Sequence, residues 1–340
     1  MPKISVVIGT SRPGGIDVTL KGMADQTYDD FEIIFVDGRY HQRHREVLKL
    51  AKEMGIKVPF YHVPNHRYND IWPVNCGGYN TGFMLSEGEI VIMLLDYAYT
   101  PPGWIENHLK YHDRKMLVMA PHVYLGMPEV VTLDGARPAQ FLFAEPQTTV
   151  DNILRQKANF TEISIFKSMF EPSWIADLPQ PSDNDPKLNV VGPIDHSYMH
   201  TKNDSFPLET VLDINGMDEN YDRGRGPGDT EFGYRLICAG CGPCIVQEAR
   251  VYCLNPRGIM PNLNLCLPET GADIEGRWSY EHGYAYMETR RIEMSAGEPI
   301  RAKNPYDLRR RRRDIWNWRE LSQDYEAIIP YINVSNEGWF

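Results

Sequence analysis

The residues of this chain best placed to do chemistry are carboxylates at the ends of apolar runs. The run Phe31 to Val36 leads into Asp37, and Ile90 to Leu95 leads into Asp96, while a third run from Ile4 leads into Thr10, Ser11 and Arg12. Uninterrupted Val, Ile and Leu mark strands covered on both faces, and in open parallel sheets ligands collect beyond the carboxyl ends of such strands. The runs therefore predict a ligand site lined by Thr10, Arg12, Asp37 and Asp96. Two carboxylates at one sheet edge repel, so something positive is expected between them.

A further carboxylate, Asp229, opens a predicted helix straight after Arg223-Gly224-Arg225-Gly226-Pro227-Gly228. As a helix cap it is worth about 1 kcal/mol. A glycine-rich approach is an entropically costly way to reach a mere cap, which favours a chemical role.

The elements that must hold these groups alternate. Between the strands lie helix patterns at Ile16 to Asp25, His44 to Met54, Val74 to Ser86 and Gly103 to Arg114, the last behind Pro101-Pro102, a helix-start signal. Alternation of this kind builds a mostly parallel sheet with helices on both faces. From Glu129 to Asp204 the pattern weakens, and residues 178–195 are rich in turn formers, so a long loop over the site is expected.

The strand tips Ser5 to Arg12, Gln26 to Gly38 and Leu95-Asp96, with Asn80-Thr81-Gly82 between them, resemble in order and spacing the amino-terminal half of family 2 glycosyltransferases. A second stretch is more specific. Phe206, Glu209, Asn215-Gly216-Met217-Asp218-Glu219, Tyr221, Asp229, Glu231, Gly233, Arg235, Leu236 and Gly240 fall in register with that family's acidic-pair segment.

The resemblance implies a GT-A fold over residues 1–255. A nucleotide-sugar-binding half (1–121), an irregular region (122–204) and an acceptor and catalytic half (205–255) are followed by a helical carboxyl-terminal extension (256–340). It further implies an inverting enzyme that moves a sugar from a nucleotide-diphosphate donor, uridine-linked by expectation, to a hydroxyl of a carbohydrate or lipid-linked acceptor. Asp229 is the expected general base, since inversion needs a carboxylate on the face opposite the leaving group. Thr10, Ser11, Arg12, Asp37, Asn75, Asn80 and Asp96 are the expected nucleotide-sugar contacts, Asp37 reading the base. Trp104, Gly228 and Glu231 are expected on the acceptor side, with Trp72, Tyr97 and Tyr99 as further aromatics. For Asn80, a structural brace is an equal alternative.

The metal ligands depart from the family. Asp-x-Asp is Asp96-Tyr97-Ala98 here, and a usual histidine is replaced by Cys253, so Asp96 alone is left to hold Mn²⁺ or Mg²⁺. Arg12, Arg67, Arg223, Arg225 or Arg257 would then offset the pyrophosphate charge. Two other functions stay open: a sugar-nucleotide-binding relative without turnover, and a sugar-nucleotide nucleotidyltransferase, for which Gly9 to Gly15 is a short loop.

Composition bounds the rest. With 340 residues, 42% of them hydrophobic, the chain can bury a full core, and a formal net charge of −11 argues against nucleic acid as partner. The start runs directly into a strand without a signal pattern, so a cytoplasmic protein is expected. Cys238, Cys241, Cys244 and Cys253 have zinc-like spacing, yet their apolar surroundings favour core burial. Arg309 to Arg313 followed by Trp316 and Trp318 reads first as a solvated helix face; peripheral membrane contact through 305–320 is the second reading.

Overall fold

Strand β1 (Ile4–Thr10) lies between β2 (Phe31–Asp37) and β4 (Ile90–Leu95), parallel to both, and β3 (Phe60–Pro64) runs parallel outside β2. The computed structural model describes residues 3–10, 16–38, 40–65, 76–96, 98–125, 199, 203–223, 227–254 and 280–314. Beyond β4 the sheet continues through β8 (Asn203–Pro207), β6 (Met116–Met119) and β9 (Gly242–Ile245), giving seven strands in the order β3-β2-β1-β4-β8-β6-β9. Only β8 runs against the rest. A small second sheet joins β5 (Ala98–Tyr99), β10 (Val251–Leu254) and β7 (His122–Leu125). This is the expected mostly parallel α/β architecture.

Strand residues alternate between two cores. Val7, Ile34, Val36, Val91 and Met93 face α3 (Cys76–Leu85), α5 (Leu208–Asp213) and α6 (Gly228–Cys238). Ile8, Ile33, Phe35, Ile92 and Leu94 face α1 (Ile16–Ala24), α2 (Tyr40–Met54) and α4 (Trp104–Leu109). Apolar residues on both faces of each strand are why the runs lack alternation in the sequence. The helix boundaries shift modestly: α2 starts at Tyr40 and α4 stops at Leu109, so that the following turn can bring His112 to Ser205.

Three of the four clustered cysteines follow the core reading, whereas Cys238, at the end of α6, is exposed. Cys241 packs in one core and Cys244 and Cys253 in the other, with the sheet between them. Burial pushes the Cys241 and Cys244 thiols up to about 11, which keeps them protonated.

Two helices, α7 (Tyr280–Ser295) and α8 (Leu308–Asp314), belong to the expected extension, but they do not stand apart from the domain. Met287 and Leu308 are buried in the α3 core. Asn304 donates to the carbonyls of Asn215 and Met217 at 2.9 Å each and accepts from the Glu219 amide at 3.0 Å. Arg309 pairs with Glu209 and Asp213, both at 2.7 Å, and Arg312 donates to the Met84 and Ser86 carbonyls. Part of the arginine run is thus docking, while Arg310 and Arg313 are exposed. Trp316 and Trp318 lie outside the described residues. Among the described residues no helix is long and apolar enough to cross a membrane.

Helix α4 docks on β8 through a buried polar cluster. His108 Nδ1 meets Ser205 Oγ at 2.9 Å and its Nε2 meets Asn203 Oδ1 at 3.0 Å, while His112 Nε2 reaches the same serine at 2.7 Å. Burial lowers His108 to about 3 and His112 to about 4. Both are neutral when folded and regain an ordinary value near 6.5 when unfolded, so below that pH the unfolded chain binds more protons. Stability is therefore full above about pH 6.5 and falls as pH drops toward 4, by up to about 1.4 kcal/mol per histidine per pH unit. Urea midpoints measured across this range should fall steadily; a flat profile would contradict the assignment.

Candidate active site

The strand tips do share one edge. Thr10 is the register partner of Asp37, and Gly9 that of Leu95, which places Asp96 one residue beyond the same line. The Thr10 hydroxyl donates to Asp96 Oδ2 at 2.9 Å, so these two groups are joined at the end of β1 and β4. Ser11, Arg12, Asn75, Trp72 and Tyr97 lie outside the described residues.

Asp37 needs a correction. It is 1% exposed, and its oxygens are already engaged. Arg43 donates from Nε to Oδ2 at 2.7 Å and from Nη2 to Oδ1 at 2.9 Å, and His62 Nε2 donates to Oδ2 at 3.0 Å. Burial would raise the Asp37 carboxyl, but the guanidinium and the imidazole hydrogen bond outweigh it and hold the group far below the usual carboxylate range. With His62 Nε2 as donor, its Nδ1 accepts from His44 Nδ1 at 2.9 Å, and Tyr40 packs against both rings. Arg43 thus supplies a positive group to Asp37, while Asp96 is met by the Thr10 hydroxyl. Arg43 lies six residues past Asp37 on α2, so a nearby cation was a usable sequence signal; His62, across a further strand, left none. Asp37 spends its carboxylate on holding Arg43 and His62 at the sheet edge.

Four further expectations resolve into packing. Trp104 is 1% exposed and donates from Nε1 to Asn203 at 2.9 Å, so it has no face for an acceptor sugar. Glu231 is buried in a two-point ion pair with Arg235 at 2.6 and 2.8 Å, whose guanidinium also donates to the carbonyls of Ile214 and Gly216. Asn80 is the brace: its carboxamide donates to Met217 O and Glu219 Oε1 at 2.9 Å each and accepts the Met217 amide at 2.8 Å. Tyr99 is buried and donates to Asp25 at 3.0 Å.

Gly228 and Asp229 open α6 behind Pro227. Gly228 is small for a steric reason, because a Cβ there would sit 3.0 Å from Cys76 Sγ and 3.1 Å from the Tyr221 side chain. Asp229 is half-buried, and its Oδ1 accepts from the Thr230 amide at 2.8 Å. Asp222, which sequence reasoning passed over, accepts the Cys76 and Gly77 amides at 2.9 and 2.8 Å.

Among the described residues, the divalent-metal ligand set that the resemblance implies is not completed. Ala98, at the position of the second aspartate, is buried and bridged to Cys253, so neither position supplies an oxygen, and the Asp96 carboxylate already accepts from Thr10. Among the described residues no three His, Cys, Asp or Glu side chains converge on a point that would hold a metal ion.

Residues 6–162 match the model of glycosyl transferase family 2. No curated protein matches the chain. Among solved structures, TarS of S. aureus is similar with a TM-score of 0.44 and 12% identity, over 86% of this chain and 42% of TarS. This chain thus spans less than half of that protein. The mannosyltransferase PcManGT from Pyrobaculum calidifontis, solved with GDP-Man and Mn²⁺, gives 0.47 and 13% over 97% of this chain and 85% of its own. TarS 1-349 in complex with UDP-GlcNAc gives 0.44 and 12% over 87% and 76%.

Removing Arg43 should be costly, because it strands the buried Asp37 charge. Arg43→Met is expected to destabilise the fold by about 3–5 kcal/mol in urea titration, and a loss under about 1 kcal/mol would show the pair to be dispensable. Chelation should matter little to the nucleotide. Binding of nucleoside diphosphates, followed by thermal shift, is expected to survive EDTA; complete loss restored by Mn²⁺ would mean that ligands other than those described complete a metal site.

Proposed function

We propose that this chain, placed in glycosyl transferase family 2 through residues 6–162, transfers a sugar from a nucleoside diphosphate donor to a hydroxyl acceptor with inversion, Asp229 serving as general base. The observation that carries the reading is the position of Asp229 among its acidic neighbours. Asp218, Glu219 and Glu231 are fully buried, and Asp222 gives both oxygens to the α3 amides, whereas Asp229 is half-buried at the helix start with its Oδ1 on the Thr230 amide. A base must reach the acceptor proton, and exposure is the first requirement for that.

The chemistry follows from charge. As the bond to the leaving phosphate lengthens, positive charge develops on the sugar ring and negative charge on the pyrophosphate. A carboxylate on the opposite face takes the acceptor hydroxyl's proton while the oxygen attacks. Thr10 and Asp96 would contact the donor at the sheet edge. Arg12, Arg67, Arg223, Arg225 or Arg257 would meet the pyrophosphate, the role a metal otherwise fills. With Asp37 occupied by Arg43, the base is read by other groups, so a donor panel should include purine as well as pyrimidine diphosphate sugars. A carbohydrate or lipid-linked acceptor is proposed, with peripheral membrane contact supported by the exposed Arg310 and Arg313.

One observation favours the second reading, a sugar-nucleotide-binding relative without turnover: the buried Ala98 where the family carries its metal aspartate. Release of free nucleoside diphosphate from a donor panel marks the enzyme, and binding without release marks the relative.

Asp229→Asn separates chemistry from architecture. Asparagine keeps the shape and caps a helix nearly as well but cannot take a proton. Turnover should fall about 10²- to 10⁴-fold while Tm and donor affinity barely move. A variant with near-normal transfer would remove Asp229 from the mechanism.

A further inference from the structure

Helix α3 and the segment before Asp229 are tied at two points, both on Cys76. The first two amides of a helix have no acceptor within it, and those of Cys76 and Gly77 are met by the two oxygens of Asp222, 146 and 145 residues further along the chain. A cap is ordinarily supplied by the residue next to the helix, so this carboxylate links distant parts of the chain. Asp222 belongs to a 3₁₀ turn, Glu219–Arg223, whose start is fixed by the Asn304 and Asn80 hydrogen bonds. The second point is Gly228, packed so closely on Cys76 Sγ and Tyr221 that a Cβ would be crowded at 3.0 Å. The chain therefore departs from Cys76 at Asp222 and is back against it at Gly228, one residue before Asp229. Helix α3 itself rests on β1 and β2, the strands that present the ligand edge.

We propose that Asp222 and the Cys76–Gly228 contact form a strap that sets Asp229 relative to the donor edge, which makes Asp222 a positioning residue for transfer. The proposal rests on the reading of Asp229 as base. Its chemical content is that two charge-assisted hydrogen bonds hold the entry of the segment and a steric stop holds its exit. In Asp222→Asn one amide oxygen can accept one N–H, but the amide nitrogen then faces the other N–H as donor to donor. The entry loosens while the fold is retained. A displacement of about 1 Å at a reacting group costs on the order of 10²-fold in rate.

The test is a two-by-two set of wild type, Asp222→Asn, Asp229→Asn and the double variant, read as kcat and donor KM. Asp222→Asn is expected to lower kcat about 10- to 100-fold with KM within about twofold, and to remove nothing further in the Asp229→Asn background. An unchanged kcat, or the same loss in both backgrounds, would overturn the strap. If Asp229→Asn alone proves neutral, the base reading has failed and the strap falls with it; that case is recognised because Asp222→Asn then shifts Tm only. Should Asp222→Asn fail to fold, Gly228→Ala probes the strap from its other end with the same non-additivity expected and the same results overturning it. A readout independent of turnover is trypsin cleavage after Arg223 and Arg225 well below Tm, expected to quicken about tenfold in Asp222→Asn by local release. An unchanged cleavage rate would show that Asp222 does not hold the segment.

Discussion

Much of this molecule hangs on the polar side of α3. An amide buried in an apolar core is tolerated only when its donors and acceptors are met, since a stranded group costs about 1–3 kcal/mol. Asn80 is met by the backbone of Met217 and the carboxylate of Glu219, which fixes the turn from Asn215 to Glu219 against the helix. That turn holds left-handed backbone at Asn215 and at Gly216, with φ of 62° and 69°, and a Cβ on Gly216 would lie 2.2 Å from the Asn80 oxygen. Residues 302–308 then close over it: Asn215 donates to the carbonyls of Ala302 and Tyr306 and accepts the Leu308 amide. The carboxyl-terminal helices are consequently part of the domain, docked by hydrogen bonds that the turn would otherwise leave unmet.

The other face of the argument is charge at the sheet edge. A parallel sheet with aspartates at its strand ends concentrates negative charge at one edge. The protein neutralises one of them internally: Asp37 is sealed beneath Arg43 and His62, and the imidazole of His44 extends the chain of hydrogen bonds outward. Asp96 is engaged differently, by a neutral hydroxyl from the adjacent strand. The edge thus has one of its carboxylates neutralised within the fold. The Ala98–Cys253 bridge adds no charged side chain.

The buried ion pair of Glu231 and Arg235 shows how an acidic-pair motif can serve structure. Taking both charges out of water is expensive, and the remaining guanidinium hydrogens are satisfied by the carbonyls of Ile214 and Gly216 in the same left-handed turn. Of the acidic residues that the motif brings together, Asp218, Glu219 and Glu231 organise the turn and α6, and Asp229 sits half-buried at the helix start.

Strands β1, β2 and β4, the helices between them, a mostly parallel sheet and the shared edge of Thr10, Asp37 and Asp96 are legible in the chain, because they depend on local runs of apolar side chains and on connection rules. Strands β3, β6 and the reversed β8 are too short or too polar to show such a run. The sequence also located Asp229 at a helix start, from the glycines and proline before it. What only the tertiary structure decided is where each polar side chain spends its hydrogen bonds. Asp37 finds His62 across 25 residues and Asn80 finds Met217 across 137, separations at which periodicity carries no signal. Trp104 and Glu231 read the same in sequence whether they face a ligand or a core. The choice is made by desolvation, since a group taken out of water must be paired within the fold and is then no longer available to a substrate.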